Sequence, residues 1–297
     1  MHFQDYNLAT DYVEMDRLAV QHRMWCLLIE GLWPRSVTER VDSLLNTEGK
    51  QKTVMDIGCG SGIWAIEMAR MYPNAQVVGL DLVEQTYPDA PENFKFIQGD
   101  VTKVLEQFSG QADIVHCRCV TQHVKDPQSL VQSLADSLKP GGVLLLADGD
   151  WEVYNESKEV VLPVEYSAEK GDVITGETRS WYAGWLALVG AATRSPQYRR
   201  IDELVKGCEG FDPHFDFRQY YSPLNWPGVH INHGEELGKI LNINQRAFLH
   251  GSRGILGKRG IPEETIDKWA KHYEEDLDNK HYYNVWYYTA AQKSICV

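Results

Sequence analysis

Asp56, Gly58, Gly60 and Gly62 fall within VMDIGCGSG (54–62), and Asp81 stands nineteen residues past the last of these glycines, near the end of VVGLDL. Glycines spaced two apart permit a tight turn whose backbone approaches a ligand closely, because no Cβ intervenes. A carboxylate about twenty residues beyond such a turn suits the diol of a ribose. The two segments therefore read as a nucleotide-binding turn and its ribose partner.

The GxGxG spacing alone does not choose the nucleotide, since Gly60, Gly62 and Ala65 also satisfy the looser GxGxxA form of dinucleotide sites. Asp56 separates the two. A carboxylate two residues before the first glycine faces a pyrophosphate with like charge, a repulsion that is costly in a partly desolvated site. The same carboxylate attracts a cationic group, and the ammonium of the methionine part of S-adenosylmethionine (SAM) is one. Asp56 thus favours SAM over a nicotinamide dinucleotide. The competing reading is a turn aspartate that caps Ser61 or the helix behind it.

Methyl transfer from a sulfonium is an in-line displacement that disperses charge, so alignment and a dry pocket carry most of the catalysis and a general base is optional. His123, in CVTQHVKD, is the candidate base for a hydroxyl acceptor. Asp150, with Asp148 and Trp151, either borders the acceptor pocket or is a solvated turn residue. His116, inside a strand, packs or orients Arg118. His230 and His233 lack a third clustered ligand, and Cys117 with Cys119 lacks a second pair or a suitably spaced histidine, so no metal is expected.

These residues require a specific set of elements. Val54, Met55 and Ile57 read as a buried strand, followed by a helix over 63–72 with Ile63, Ile66, Ala69 and Tyr72 on one stripe. Further buried strands are expected over 76–80, 94–98, 112–118 and 143–147, the last preceded by a helix over 127–138 that LKPGG stops. Asp56, Asp81, Asp100, Arg118 and Asp148 all fall at or just after a strand end, where a parallel sheet places its ligand crevice. Ahead of the sheet, 14–33 patterns as an amphipathic helix bearing Met15, Leu18, His22, Trp25, Ile29 and Leu32. Beyond residue 150, helices are expected over 180–192, 197–208, 234–249 and 262–277, and strands over 215–224 and 281–293.

At 297 residues and 43% hydrophobic content the chain is long enough for one sizeable core, and its net charge of −13 argues against nucleic-acid or anionic-membrane binding. Six scattered cysteines form no disulfide framework and read as reduced thiols. The amino terminus has no signal-peptide core and no apolar run reaches membrane-span length, so the chain is expected to be cytoplasmic. Nine tryptophans and fifteen tyrosines favour an aromatic or apolar small-molecule acceptor.

In these motifs the chain resembles the class I SAM-dependent methyltransferases and, more narrowly, the fungal LaeA-like methyltransferases of secondary metabolism. DIGCGSG, with Asp56, Gly58 and Gly60, looks like the family's methionine-binding loop, and VVGLDL, with Asp81 and Leu82, like its ribose-binding strand end. FIQGDV places Asp100 and Val101 at the adenine edge. DIVHCR, with Cys117 and Arg118, and LKPGG resemble the fourth strand and the turn before the fifth. The likeness is strong over 50–150 and elsewhere rests on MDRLAVQHRMW and the aromatic last strand.

The resemblance implies an α/β fold: a Rossmann-like class I methyltransferase sheet, mostly parallel with an antiparallel last strand. A helical lid (1–50), a SAM-binding core (51–150) and a remainder (151–297) with cap insertions at about 151–195 and 226–280 would form a single globular unit, as monomer or homodimer. It also implies that the amino-terminal helix lies over the cofactor, so that Gln21 and His22 line the site; from the residues alone, His22 is equally a packed member of an apolar stripe. The function implied is methyl transfer to an oxygen or nitrogen of a small specialised metabolite, with S-adenosylhomocysteine as product. The alternatives are a SAM-binding regulator working through partners, a SAM-dependent enzyme of non-methylating chemistry, and a protein methyltransferase.

Overall fold

The computed structural model describes residues 12–47, 49–167, 172–176 and 178–295. Residues 1–11, on which the expectation of no signal peptide rests, lie outside the described residues, as do Cys296 and the side chain of Met15. In chain order the elements are α1 (Tyr12–Ile29), α2 (Thr38–Leu45), β1 (Lys52–Ile57), α3 (Ile63–Met71), β2 (Ala75–Asp81), β3 (Phe94–Gln98), α4 (Val101–Val104), β4 (Ala112–Arg118), α5 (Pro127–Ser137) and β5 (Leu138–Tyr154). There follow β6 (Leu162–Pro163), β7 (Glu165–Ser167), β8 (Asp172–Ile174), β9 (Arg179–Ser180), α6 (Trp181–Thr193), α7 (Ile201–Lys206), β10 (Asp216–Leu224), α8 (Gly234–Lys258), α9 (Glu263–Asn279) and β11 (Tyr282–Gln292).

The chain divides into two compact units. A sheet unit comprises Ile29–Asp148, Ser195–Gln219 and Tyr287–Val297, and a helical unit comprises Met1–Leu28, Gly149–Arg194 and Tyr220–Trp286.

A seven-stranded sheet runs in the order β10-β11-β5-β4-β1-β2-β3. The pairings β4–β5, β1–β4, β1–β2 and β2–β3 are all parallel. From β1 the chain proceeds outward through β2 to β3, then crosses back to β4 and β5 on the other side. The order therefore reverses between β1 and β4, and a ligand crevice belongs outside the carboxyl ends of those two strands. Val54, Met55, Ile57, Ile114, Val115 and Leu144 to Leu146 are fully buried, as the continuous apolar runs predict for strands covered on both faces.

Two elements differ from the sequence expectation. In α3 the buried stripe is Trp64, Ala65, Met68 and Ala69 instead of Ile63 and Ile66, because the large Trp64 ring stacks inward on His116. β5 runs seventeen residues, through LKPGG at one end and Asp148, Asp150 and Trp151 at the other. LKPGG does end α5, at Ser137, but it already belongs to β5, where its glycines mark an irregularity: Gly141 has φ +80°, and the register against β4 shifts between Ala112 and Ile114.

In the helical unit α6, α8 and α9 pack through aromatic side chains. Trp185, Tyr182, Trp269 and Tyr273 are fully buried, with the Trp185 indole N–H donating to Ser252 Oγ at 2.9 Å and that of Trp269 to the Trp181 carbonyl at 2.9 Å. Asp276 accepts from Ser180 Oγ and the Tyr182 amide, so these rings are anchored core. Of the cysteines, 26, 59, 117, 119 and 208 are free thiols. Among the described residues no helix is long and apolar enough to cross a membrane.

Candidate functional site

The glycine turn begins where β1 ends. The amides of Gly58 and Cys59 both donate to the Leu80 carbonyl, at 2.8 and 3.0 Å, tying the turn to the end of β2. Gly58, Gly60 and Gly62 have φ of 68°, 49° and 71°, the left-handed region that glycine enters without steric cost. A Cβ on Gly58 would lie 2.4 Å from Val120 Cγ2, and one on Gly62 would lie 2.4 Å from Tyr87 Cε1. Tyr87 also donates its hydroxyl to the Gly60 carbonyl at 2.8 Å and sets its ring edge against Phe94 and Phe96. No local sequence pattern marks Tyr87 as a residue that packs on the turn.

Asp81 closes the turn from the other strand. Its Oδ2 accepts the Gly60 amide at 2.8 Å and its Oδ1 the Val83 amide at 3.0 Å. Burial pushes this carboxyl above its ordinary range, with the backbone donors opposing. Each oxygen retains acceptor capacity for a ribose hydroxyl. Leu82 follows as an exposed apolar side chain.

Asp56 does not cap Ser61 or α3. It lies opposite His116 in the β1–β4 register, and its Oδ1 accepts from His116 Nδ1 at 2.7 Å, both side chains being buried. The imidazole stacks on Trp64 with centroids 3.8 Å apart, and the Trp64 indole N–H is held by the Leu32 carbonyl at 3.1 Å. Burial, with Arg118 adding to it, lowers the His116 pKa against the pull of Asp56, so the ring is neutral at neutral pH. A nearly enclosed carboxylate thus sits at the point where the strand order reverses. At the neighbouring α3 amino terminus, Gly62 supplies no side-chain cap, leaving the first-turn amides to an incoming anion.

The other strand-end residues take more varied places. Asp100 caps α4, accepting from the Thr102 amide at 3.1 Å, Thr102 Oγ1 at 2.6 Å and Lys103 Nζ at 2.6 Å; burial raises its pKa, but these bonds outweigh it and hold the carboxyl below the usual range. Val101 opens that helix, half-buried. Cys117 is fully buried in the sheet, where burial and then Asp148 raise its thiol pKa. Arg118 is half-buried at the end of β4, and its charge acts on Glu67.

His123 ends a 3-10 turn, Thr121–His123, and is half-buried. That turn is fastened from below, because Asp148 is fully buried and accepts from Thr121 Oγ1 and from Gln122 Nε2 at 2.7 Å. The Ser195 amide holds the Gln122 carbonyl at 2.9 Å. Asp148 is therefore neither a pocket-border residue nor a solvated one, since β5 continues through it.

Gln21, His22 and Asp150 belong to the helical unit. Gln21 is half-buried, and His22 is buried with Nε2 3.3 Å from Cys26 Sγ one turn along α1. α1 is held to α8 by Arg17 on Asn244 Oδ1 at 3.1 Å and by the Arg23–Glu236 ion pair. Asp150 accepts the amides of Trp151 and Glu152 at 2.7 and 3.2 Å, inside β5 and not in a following loop. His230 and His233 are exposed residues at φ 54° and 56°.

Comparison with known proteins supplies the family. The description "Methyltransferase domain" fits residues 30–195, more than half of the chain. The secondary metabolism regulator laeA of Coprinopsis cinerea is 28% identical over 270 residues, covering 88% of this chain and 63% of that protein. Methyltransferase str2 of Strobilurus tenacellus is 33% identical over 190 residues, covering 60% of this chain and 64% of that protein. The chain so spans a little under two thirds of the length of these two relatives. Among solved structures, Haemonchus contortus phosphoethanolamine N-methyltransferase 2 shares the fold at 17% identity and a TM-score of 0.50, over 99% of this chain and 61% of that one. The chain belongs to the methyltransferase domain family, as a LaeA-like class I member, and the methyl donor of that family is SAM.

Proposed function

We propose that this chain transfers a methyl group from SAM to an oxygen or nitrogen of a small-molecule acceptor of specialised metabolism, releasing S-adenosylhomocysteine. The observation that carries this reading is the pair of carboxylates at adjacent strand ends: Asp81, bonded to the glycine turn, and Asp56, enclosed at the reversal point with no lysine or arginine partner among the described residues. Asp81 suits the ribose diol and Asp56 the ammonium, while the uncapped first turn of α3 suits the carboxylate of the same amino-acid portion. Leu82 and Val101 offer apolar surface for the adenine. A pyrophosphate placed at the same turn would meet Asp56 with like charge.

For a hydroxyl acceptor, His123 takes the proton as the new C–O bond forms and the C–S bond breaks, with the electron pair passing to sulfur. For a neutral amine the nitrogen lone pair attacks directly and the proton leaves afterwards. Calorimetry tests the cofactor half of the proposal: S-adenosylhomocysteine should bind and NADH should not, and the reverse would overturn it. Labelled SAM incubated with an extract of the source organism tests the acceptor half, through a labelled small-molecule product.

A regulator that binds SAM and works through a partner is the second reading, favoured by the likeness to the secondary metabolism regulator laeA of Coprinopsis cinerea. Under that reading S-adenosylhomocysteine binds equally well, but no small molecule in the extract gains label.

A further inference from the structure

We propose that His116 is a positioning residue for the methyl donor: its Nδ1–H holds Asp56 through Oδ1 and leaves Oδ2 for the donor's ammonium. This rests on the reading of the sheet unit as a SAM site.

The geometry supports it in three ways. First, Asp56 and His116 are partners across two adjacent parallel strands, so the backbone register fixes the 2.7 Å contact. Second, the imidazole cannot swing away. It lies flat on Trp64, at an interplanar angle of 9°, and Trp64 is itself anchored by its indole N–H on the Leu32 carbonyl. Third, among the described residues no hydrogen bond other than that of His116 reaches the Asp56 carboxylate.

A carboxylate takes its donor from the Nδ1–H tautomer. One neutral N–H stabilises the negative charge of Asp56 without cancelling it, so the buried carboxylate keeps its attraction for a cation. A lysine or arginine in place of His116 would satisfy Asp56 and abolish that attraction. The arrangement thus selects ligands carrying an ammonium near the sulfur and contributes nothing to ligands that lack one.

The test compares two ligands that share the nucleoside and differ in the amino-acid portion: S-adenosylhomocysteine, which carries the ammonium, and 5′-methylthioadenosine, which does not. Calorimetry is run on the wild-type chain, His116→Phe, His116→Asn and His116→Gln, with a thermal melt of each. Phenylalanine keeps the stack on Trp64 but removes the donor, and should weaken S-adenosylhomocysteine roughly 10- to 100-fold, in the range of a hydrogen bond to a charged group. Its affinity for 5′-methylthioadenosine should stay within about twofold of wild type. Asparagine places an amide N–H where Nδ1–H stands and should restore most of the affinity; glutamine places it at the Nε2 position and should not. If His116→Phe does not fold, the asparagine and glutamine pair decides the matter.

Equal loss for both ligands, unchanged S-adenosylhomocysteine binding in His116→Phe, or equal behaviour of asparagine and glutamine would each overturn the role of His116. Failure of the wild-type chain to bind either ligand would instead overturn the SAM reading.

Discussion

The Gly60 amide donates to Asp81 Oδ2 at 2.8 Å, so the carboxylate proposed to receive the ribose also holds the tip of the turn proposed to receive the methionine portion. One side chain, from the end of β2, shapes both halves of the site before a ligand arrives.

Asp81→Ala should therefore act twice. Loss of the ribose acceptor should weaken S-adenosylhomocysteine binding about 10- to 100-fold, the range for hydrogen bonds to a charged group. Loss of the Gly60 and Val83 bonds should lower stability by about 1–2 kcal/mol. Calorimetry and a denaturant melt on one preparation check both; unchanged affinity would remove the ribose assignment whatever the melt shows.

Gly58 is constrained by conformation and by contact. Its φ of 68° disfavours any side chain, and a Cβ would reach within 2.4 Å of Val120 Cγ2. Gly58→Ala should destabilise the chain by roughly 2–3 kcal/mol, about 1 from the backbone and the rest from overpacking. Adding Val120→Ala should recover the steric part only. A double-mutant cycle then reads a favourable coupling between the two substitutions, and strict additivity would contradict the contact.

Asp148 illustrates what an isolated sequence motif conceals. In VLLLADGD it reads as a strand-end acid that either borders a pocket or is solvated, yet it is enclosed, with Thr121 and Gln122 as donors. Asp148→Asn preserves shape but removes the negative charge and leaves one acceptor oxygen where Thr121 and Gln122 now find two. It should destabilise the fold by about 1–3 kcal/mol. If His123 is the base, turnover should also fall while the affinity for S-adenosylhomocysteine stays unchanged, since neither Thr121 nor Gln122 belongs to the glycine turn.

Much of the sheet was legible because β1, β2 and β4 are short apolar runs ending in glycine or charge, the pattern a strand buried on both faces must have. The glycine turn was legible too, because Gly58, Gly60 and Gly62 mark it locally and Asp81 follows at the end of the next strand. His116 was not assigned to Asp56, because the two are sixty residues apart and only strand register joins them. Aligning the ends of VMDIG and IVHCR would have placed them opposite each other. β5 was read too short because Gly141 and Gly142 resemble a stop. α8 was expected near 234–249, but it continues to Lys258 through Gly251, Gly254 and Gly257.

Those three glycines weaken the helix without serving a contact. Each is exposed, and none has an atom within 4 Å of where a Cβ would stand. Gly254→Ala should stabilise the chain by about 0.5–1 kcal/mol, through the lower entropy of the unfolded state and better helix propensity. A rise of the melting midpoint without loss of S-adenosylhomocysteine binding confirms it; a fall would mean that the exposed face of α8 carries a constraint of its own.

Asp202 ties pH to stability. Its side chain is nearly buried between Arg200 and Lys206, with Arg200 Nη2 at 3.1 Å and Lys206 Nζ at 2.9 Å. Burial raises the carboxyl pKa, but the two cations outweigh it and bring it to about 2. Arg200 is held over the Phe217 ring, 5.0 Å from its centroid, so the pair is fixed to β10. A carboxylate of depressed pKa contributes stability that is fully present above its unfolded value of about 3.9 and is lost as pH falls through the folded value. With both cations partly exposed and screened, the contribution comes to about 1–2 kcal/mol. Asp202→Asn should thus be less stable than wild type by that amount in denaturant melts at pH 7. The gap should hold down to about pH 5 and narrow from about pH 4 toward pH 2. A gap of constant size across that range would show that packing, and not the carboxylate charge, holds α7 in place.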